Sequence, residues 1–298
     1  MIGADVCGFF DEPSEELCIR WMQLGAFSPF DRNHNTEGTA DQDPAKPGWD
    51  QCPAISKSVL ELRYKYIPYF YARFHRAHMN GYSVIRPLFN VFPSDITTRD
   101  INDQFMWSSD LLVAPVVEEG AVSRDVYFPD SIWYDLVSGE RKSEAAGTQL
   151  IDAPLDTIPV YLRGGSILPF QNPSLTTTES RNNGFGFTVA LDSNGEASGE
   201  VYWDHGYEIR DMSETFIGEV NYSEGQLSLQ GQYDPTIAEG VTVENIEIFG
   251  FPSDPTGIDV NGEAADSSSW EYDETTNVLK FSLSIPLNVD FSINFKTT

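Results

Sequence analysis

The sequence predicts an α/β segment followed by two all-β domains, and three observations support that order. The first 35 residues alternate strand-like and helix-like runs, and a second helical pattern continues to about residue 80. From Tyr82 onward the apolar residues change to period two. From about residue 170 the alternation of polar and apolar side chains becomes cleaner still. At 298 residues the chain is too long for one ordinary core and suits two or three domains.

Met1 to Ala4 is a small apolar run that stops at Asp5, and Leu24 to Phe30 is a second that stops at Asp31-Arg32-Asn33-His34-Asn35. Both read as strands with polar groups at their C-terminal ends. Between them Ser14 is placed as the N-cap of a helix, with Glu15 and Glu16 in its first turn and Leu17, Trp21 and Leu24 on one face. Residues 36–53 are polar and rich in Asp, Pro and Gly, as a long surface loop requires. Ser56 is expected to cap a helix that runs to about His78, carries Val59, Leu62, Tyr66, Tyr69, Phe70, Arg73 and Phe74 at helical spacing, kinks at Pro68 and ends at Asn80-Gly81. In barrels of strand-helix-strand units, the loops after the strands converge on one face and carry the chemistry. A complete eight-stranded barrel takes ~250 residues, so residues 1–81 suffice for its last two strands and their helices. The chain is therefore expected to be a piece of a longer one.

The runs SVIRPLFNVF, DLLVAPVV, RDVYFP, SIWYDL and IPVYLRGGSILP, divided by Gly, Pro and Asp, read as a small antiparallel β domain over residues 82–169. GFGFTVALD, GEVYWD, FIGEVNYS, QLSLQGQY and the runs after them read as an antiparallel sandwich over 170–298, with one wet face per sheet.

Lys and Arg number 18 against 46 Asp and Glu, a formal net charge of −28. Such a surface repels phosphate backbones and anionic lipid, which argues against nucleic-acid and membrane partners and fits a neutral substrate. No apolar run reaches the ~20 residues of a membrane span, and the N-terminus lacks a signal-peptide pattern. Cys7, Cys18 and Cys52 are an odd set without metal-ligand spacing; free buried thiols and a Cys7–Cys18 disulfide both remain open. Asn221-Tyr222-Ser223 is a glycosylation sequon, usable only in a secretory compartment.

Asp5 is a carboxylate at a strand end, able to cap its own turn or to accept hydrogen bonds from sugar hydroxyls. Gly8 allows close backbone approach, and Phe9 and Phe10 offer an apolar wall for a sugar ring, with at least one of them expected in the core. His34 lies in a dense group of hydrogen-bonding side chains, where a neutral imidazole both donates and accepts. Arg32 is expected to form an ion pair with Asp31 or Glu37, while His75, His78 and His205 read as structural. Retaining glycoside hydrolysis needs two carboxyl groups about 5 Å apart. Only Asp5 and Asp31 lie at strand ends, and they do not by themselves make a catalytic pair.

The blocks GADVCGF, SEELCIRWMQLGAFSPFDRNHN, DQDP, RPLF, QFMWSSDLLVAPV, WYDLVSG, YLRGGSILPFQ, VALD and VYWDHG occur in one order, and together they resemble the C-terminal part of glycoside hydrolase family 31. The resemblance is to the maltase-glucoamylase, sucrase-isomaltase and lysosomal α-glucosidase group. It implies the last strands and helices of a (β/α)8 TIM barrel, followed by a proximal and a distal antiparallel β domain. It also implies retaining hydrolysis of terminal α-linked glucose from malto-oligosaccharides, without metal or organic cofactor, in a protein of the secretory pathway, secreted or lysosomal. By the same resemblance, His34 matches a histidine that binds the glucose ring, Asp5 a pocket carboxylate and Phe9 a pocket-wall aromatic, and Cys7 and Cys18 match a disulfide pair. The family's WIDMNE-like nucleophile motif and GDN-like acid/base motif do not occur in this sequence, so no catalytic residue is assigned here and both are expected on upstream sequence. On that basis the isolated chain should be inactive. The alternatives are a non-catalytic carbohydrate-binding or scaffold fragment, or another activity of the family such as α-xylosidase or transglycosylase.

Overall fold

The computed structural model of the chain describes residues 2–143, 145–207 and 211–297. The chain divides into two compact units: Met1–Arg63, Ser83–Asp130 and Ala145–Tyr161 form the first, and Tyr64–Tyr82, Ser131–Glu144 and Leu162–Thr298 the second.

In the first unit, strands β1 (Asp5–Phe9) and β2 (Arg32–Asn35) pair in parallel and are joined through helix α1 (Glu15–Gly25). A parallel pair needs such a crossover. Both strands lie C-terminal to the runs that their composition suggests, residues 1–4 and 24–30, and Met1 is outside the described residues. Leu24 still belongs to α1, and the turns after it close through Ala26 N–H to Met22 O, Phe27 N–H to Leu24 O and Ser28 N–H to Gly25 O. An apolar run without alternation does not distinguish a buried turn from a strand. Residues 2–4 nevertheless run beside Phe30, whose N–H donates to Ile2 O at 3.2 Å. A Cβ on Gly3 would lie 1.7 Å from the Phe30 carbonyl oxygen, so only glycine permits that approach.

Helix α1 starts where its signals place it, with Ser14 Oγ accepting from Leu17 N–H at 3.2 Å. Its core side is Cys18, Ile19 and Met22, packed with Val6, Cys7, Cys52 and Ile55. Leu17, Trp21 and Leu24 do share a face, but that face lines an open groove of about 360 Å³ with Val116 and Val117. Arg20, 8% exposed, is the unexpected member of the buried side. Its Nη1 donates to Gln23 Oε1, Pro154 O and Thr157 O at 3.1, 3.2 and 3.0 Å, and its Nη2 to Ala121 O and Ala153 O, both at 2.9 Å. One guanidinium thus closes two loops of the unit.

Helix α2 (Cys52–Lys65) begins four residues before Ser56, which lies inside it rather than at its cap. The leading N–H groups are met from α1: Glu15 Oε1 accepts from Gln51 N–H at 2.6 Å and Cys52 N–H at 2.9 Å. The hydrogen bonds from Cys52 and then Gln51 hold the Glu15 carboxyl below its ordinary range. Helix α3 (Ile67–Asn80) is separate, not a kinked continuation. The break falls at Tyr66, and Pro68 sits in the first turn of α3, where its missing N–H costs nothing. Gly81, at φ +72°, closes the other end by donating to Ala77 O.

Strand follows helix from Ile85, with β3 (Ile85–Pro87), β4 (Phe105–Trp107), β5 (Leu111–Val113), β6 (Ser123–Phe128), β7 (Trp133–Asp135), β8 (Arg141–Ser143), β9 (Gly147–Asp152) and β10 (Val160–Arg163). β3, β4 and β5 make an antiparallel meander, β6 pairs with β9, and β7 with β8. The second unit continues with β11 (Ser166–Gln171), β12 (Phe185–Ala190), β13 (Ala197–Trp203), β14 (Phe216–Ser223), β15 (Gln226–Tyr233), β16 (Thr242–Phe249), β17 (Gly257–Val260), β18 (Glu263–Ala264), β19 (Trp270–Asp273), β20 (Val278–Pro286) and β21 (Phe291–Lys296). Among the described residues these eleven form one sheet in the order β18-β17-β21-β15-β14-β13-β11-β12-β16-β20-β19. Most pairings are antiparallel; β11 with β13 and β12 with β16 are parallel, which alternation cannot reveal because both arrangements have period two. The sheet curls on itself. Phe281 on β20 meets Phe295 on β21 edge to face at 6.3 Å, although their strands lie toward opposite ends of that order, and Phe185, Phe187, Val220 and Ile246 fill the space between.

Replacing Arg20 by Met keeps the apolar stem and removes every donor to the four loop carbonyls. Arg20→Met is expected to lower the unfolding free energy by about 3 kcal/mol or more in urea melts. A loss below about 1 kcal/mol would show that the carbonyls find other donors.

Candidate functional site

The β1–β2 pair carries the candidate site, with Asp5 at the start of β1 rather than at the end of a strand as its sequence suggests. Asp5 stands opposite Arg32 and Val6 opposite Asn33. Successive side chains of a strand point to opposite faces, so Asp5, Arg32 and His34 share one face and Val6 and Asn33 the other.

On the buried face the side-chain amides donate to neighbouring acceptors, while Gln42 Oε1 is left without a donor among the described residues. Gln42, 3% exposed, donates its Nε2 to Val6 O at 3.1 Å and to Asn33 Oδ1 at 2.9 Å, and Asn33 Nδ2 donates to Gln42 O at 3.1 Å. Asn35 Nδ2 likewise bonds Thr39 Oγ1 at 2.8 Å and Ala40 O at 3.0 Å. Both asparagines are therefore structural ties. Gln42 was hidden in a stretch whose Asp, Pro and Gly content reads as surface loop. Its only signal was that DQDP recurs as one of the blocks of the family resemblance.

On the open face Arg32 donates Nη2 and Nε to Asp5 Oδ1 at 2.6 and 3.2 Å. The expected partners of Arg32, Asp31 and Glu37, give way to Asp5. Asp31, next in sequence, points to the other side of the strand, where its Oδ2 lies 3.9 Å from Arg63 Nε. Burial pushes the Asp31 carboxyl up against the opposing pull of Arg63.

After Val6 the backbone enters the left-handed region at three successive residues, with φ +71° at Cys7, +102° at Gly8 and +60° at Phe9. The register of the pair shifts there, a bulge that sets Phe9 opposite Asn35. The Phe9 carbonyl accepts from Thr36 N–H at 2.9 Å, tying the bulge to the chain beyond β2. The Phe9 ring comes to rest 5.6 Å from the His34 imidazole, tilted by 36°, while Phe10 meets Phe9 edge on at 4.7 Å and is itself exposed. Among the described residues, His34 is exposed, has this ring contact and makes no hydrogen bond. Cys7 forms a disulfide with Cys18, with Cα atoms 4.4 Å apart, which decides between the two open readings of the cysteines. Cys52 is a free buried thiol whose pKa burial raises.

The structure thus brings Phe9 and His34 into contact and sets Asp5, fixed by Arg32, on the same face as His34. What this face offers is a carboxylate acceptor, a donor-acceptor imidazole and an aromatic ring, the functional groups that bind a neutral polyol.

Two family models match the chain in succession: the glycosyl hydrolases family 31 TIM-barrel domain over residues 1–73 and the glycosyl hydrolase family 31 C-terminal domain over residues 81–168. The chain is 47% identical over 208 residues to the probable maltase-glucoamylase 2 of Homo sapiens, covering 70% of this chain and 8% of that protein. It is 37% identical over 303 residues to the lysosomal alpha-glucosidase of Mus musculus, covering 95% of this chain and 32% of that protein. Its fold is similar to a crystal structure of the glucosidase II alpha subunit in its DNJ-bound form, with TM-score 0.89 at 26% identity over 98% of this chain and 34% of that one. The chain spans about a third, or less, of the length of these relatives. Among the described residues no helix is long and apolar enough to cross a membrane. Matched in order by two models of one family over more than half of its length, the chain belongs to glycosyl hydrolase family 31, as the end of the TIM-barrel domain and the β domains that follow it.

Proposed function

We propose that the chain is the C-terminal portion of a retaining α-glucosidase that releases terminal α-linked glucose from malto-oligosaccharides, and that Asp5, Phe9 and His34 form one wall of its glucose pocket. The observation that carries this reading is the presentation of Asp5 and His34 on one face of adjacent parallel strands, with Phe9 packed on the imidazole. Asp5 accepts hydrogen bonds from sugar hydroxyls while Arg32 holds it in place through Oδ1. His34 donates to one hydroxyl and accepts from another, and Phe9 lies against the apolar face of the ring.

The reaction itself needs a carboxylate nucleophile that attacks the anomeric carbon and a carboxylic acid that protonates the leaving oxygen, after which water releases the sugar. Both are assigned to upstream segments of the enzyme, and no cofactor is required. The residues of this chain act by holding the glucose ring so that the anomeric carbon meets those groups in line. The names of the matched relatives support the substrate class, and the Cys7–Cys18 disulfide supports passage through an oxidising secretory compartment, secreted or lysosomal. The division proposed for the polypeptide is barrel end over 1–81, proximal β domain over 82–169 and distal β-sandwich over 170–298.

In the complete enzyme, His34→Ala leaves sugar hydroxyls unpaired and is expected to lower kcat/KM on maltose by about 5- to 150-fold, equivalent to about 1–3 kcal/mol. An unchanged kcat/KM would remove His34 from the pocket. The purified 298-residue chain alone is expected to show no hydrolysis of a nitrophenyl α-glucoside, and measurable turnover would contradict the assignment of the catalytic pair to upstream sequence.

A further inference from the structure

Asn221-Tyr222-Ser223 is the one sequon of the chain with a usable middle residue; Asn172-Pro173-Ser174 is blocked by its proline. The sequon lies on β14, where burial alternates strictly. Val220 and Tyr222 enter the core of the curled sheet, and Asn221 and Ser223 stand exposed on the opposite face. Directly across from Asn221 are Ser198 on β13 and Ser228 on β15, so both lateral neighbours are short. Among the described residues the Asn221 amide has no hydrogen-bond partner. The turn Glu224-Gly225, with φ +51° and +75°, starts three residues after Asn221 and leads into β15, which sets the amide near the end of a hairpin. A substituent on Nδ2 would project into solvent past that end, displacing no core side chain and breaking no ladder hydrogen bond.

We propose that Asn221 is N-glycosylated, taking an oligosaccharide from a polyprenyl-diphosphate-linked donor. The bond formed joins Asn221 Nδ2 to the anomeric carbon of the donor sugar. The bond broken is that between the anomeric carbon and the diphosphate oxygen; the diphosphate leaves with the electron pair, and the amide proton passes to the base of the transferase. Ser223 supplies the hydroxyl that the sequon requires. The glycan then shields the wet face of β13, β14 and β15. This inference rests on the secretory reading given above.

The test uses the protein purified from its natural source. Peptides carrying residue 221 are read by mass spectrometry before and after peptide:N-glycosidase treatment, and the same sample, alkylated without reduction, reports on Cys7 and Cys18. The expected result is a glycopeptide that carries aspartate at position 221 after treatment. A bare Asn221 with the disulfide intact overturns the glycosylation and leaves the secretory reading standing; a bare Asn221 with both thiols free overturns both. In a secretory eukaryotic host expressing the complete enzyme, Ser223→Ala is expected to remove the mobility shift that glycosidase treatment produces at this site, and Ser223→Thr to keep it. Glycan retained at Asn221 in Ser223→Ala would overturn the role of Ser223.

Discussion

The left-handed turn at Cys7-Gly8-Phe9 is the constraint on which the candidate site depends. Continued in regular register past Val6 and Asn33, the parallel pair would set Phe9 opposite Thr36; the extra residue of the bulge sets it opposite Asn35 and beside His34. Gly8 adopts its φ freely, but Cys7 and Phe9 do not, and each costs of order 1–3 kcal/mol there. Such strain persists only where the surroundings over-determine it. Here they do: the disulfide ties Cys7 to α1, Asn33 Nδ2 reaches Cys7 Sγ at 3.4 Å, and Phe9 O accepts from Thr36 N–H. A disulfide is typically worth about 2–4 kcal/mol, the same order as the cost of the two strained residues.

The same logic of buried polar groups meeting one another extends behind the site. Gln42 bridges the two strands from below through Val6 O and Asn33, and Arg20 gathers the carbonyls of residues 121, 153, 154 and 157. Neither side chain touches the open face, yet each satisfies groups that would otherwise be buried without partners, at about 1–3 kcal/mol apiece. The loops they hold are long and poor in regular structure, and such loops have no ladder of their own to meet their backbone groups. Side chains therefore do what a sheet does elsewhere.

The sequence made the order of elements legible because periodicity reports burial, and burial alternates differently in helix and sheet. Ser14 as a cap, Gly81 as a stop and the strict alternation of β14 followed from local chemistry alone. What it concealed were groups whose role lies in long-range partners. Glu15 replaces Ser56 at the start of α2 because an oxygen from another helix can meet those N–H groups as well as a local one. Arg20 has no local signal that points to its five acceptors, and Gln42 lies in a stretch that reads as loop. In the site, residue type and the family resemblance pointed to Asp5, Phe9 and His34, but the place of Asp5 at the start of β1 and its pairing with Arg32 required knowing that β1 and β2 lie side by side in this register.

Basic residues are scarce in this chain, and where the guanidinium groups lie follows from that. With 18 Lys and Arg against 46 Asp and Glu, cations cannot neutralise the surface. Several instead serve as multi-pronged donors to backbone carbonyls: Arg20 as above, Arg63 to Ala26 O and Ser28 O, Arg124 to Pro115 O, Asp103 O and Asp125 O. Arg63 and Arg124 also reach the carboxylates of Asp31 and Asp103, and Arg32 bonds that of Asp5 on the open face. In a field as negative as this chain creates, an isolated carboxylate there would attract cations in preference to sugar. A guanidinium at 2.6 Å cancels that charge locally while leaving the carboxylate its capacity to accept hydrogen bonds. On the function proposed above, such a face would recognise its ligand by hydroxyl geometry and ring contact, the form of recognition that a neutral saccharide allows.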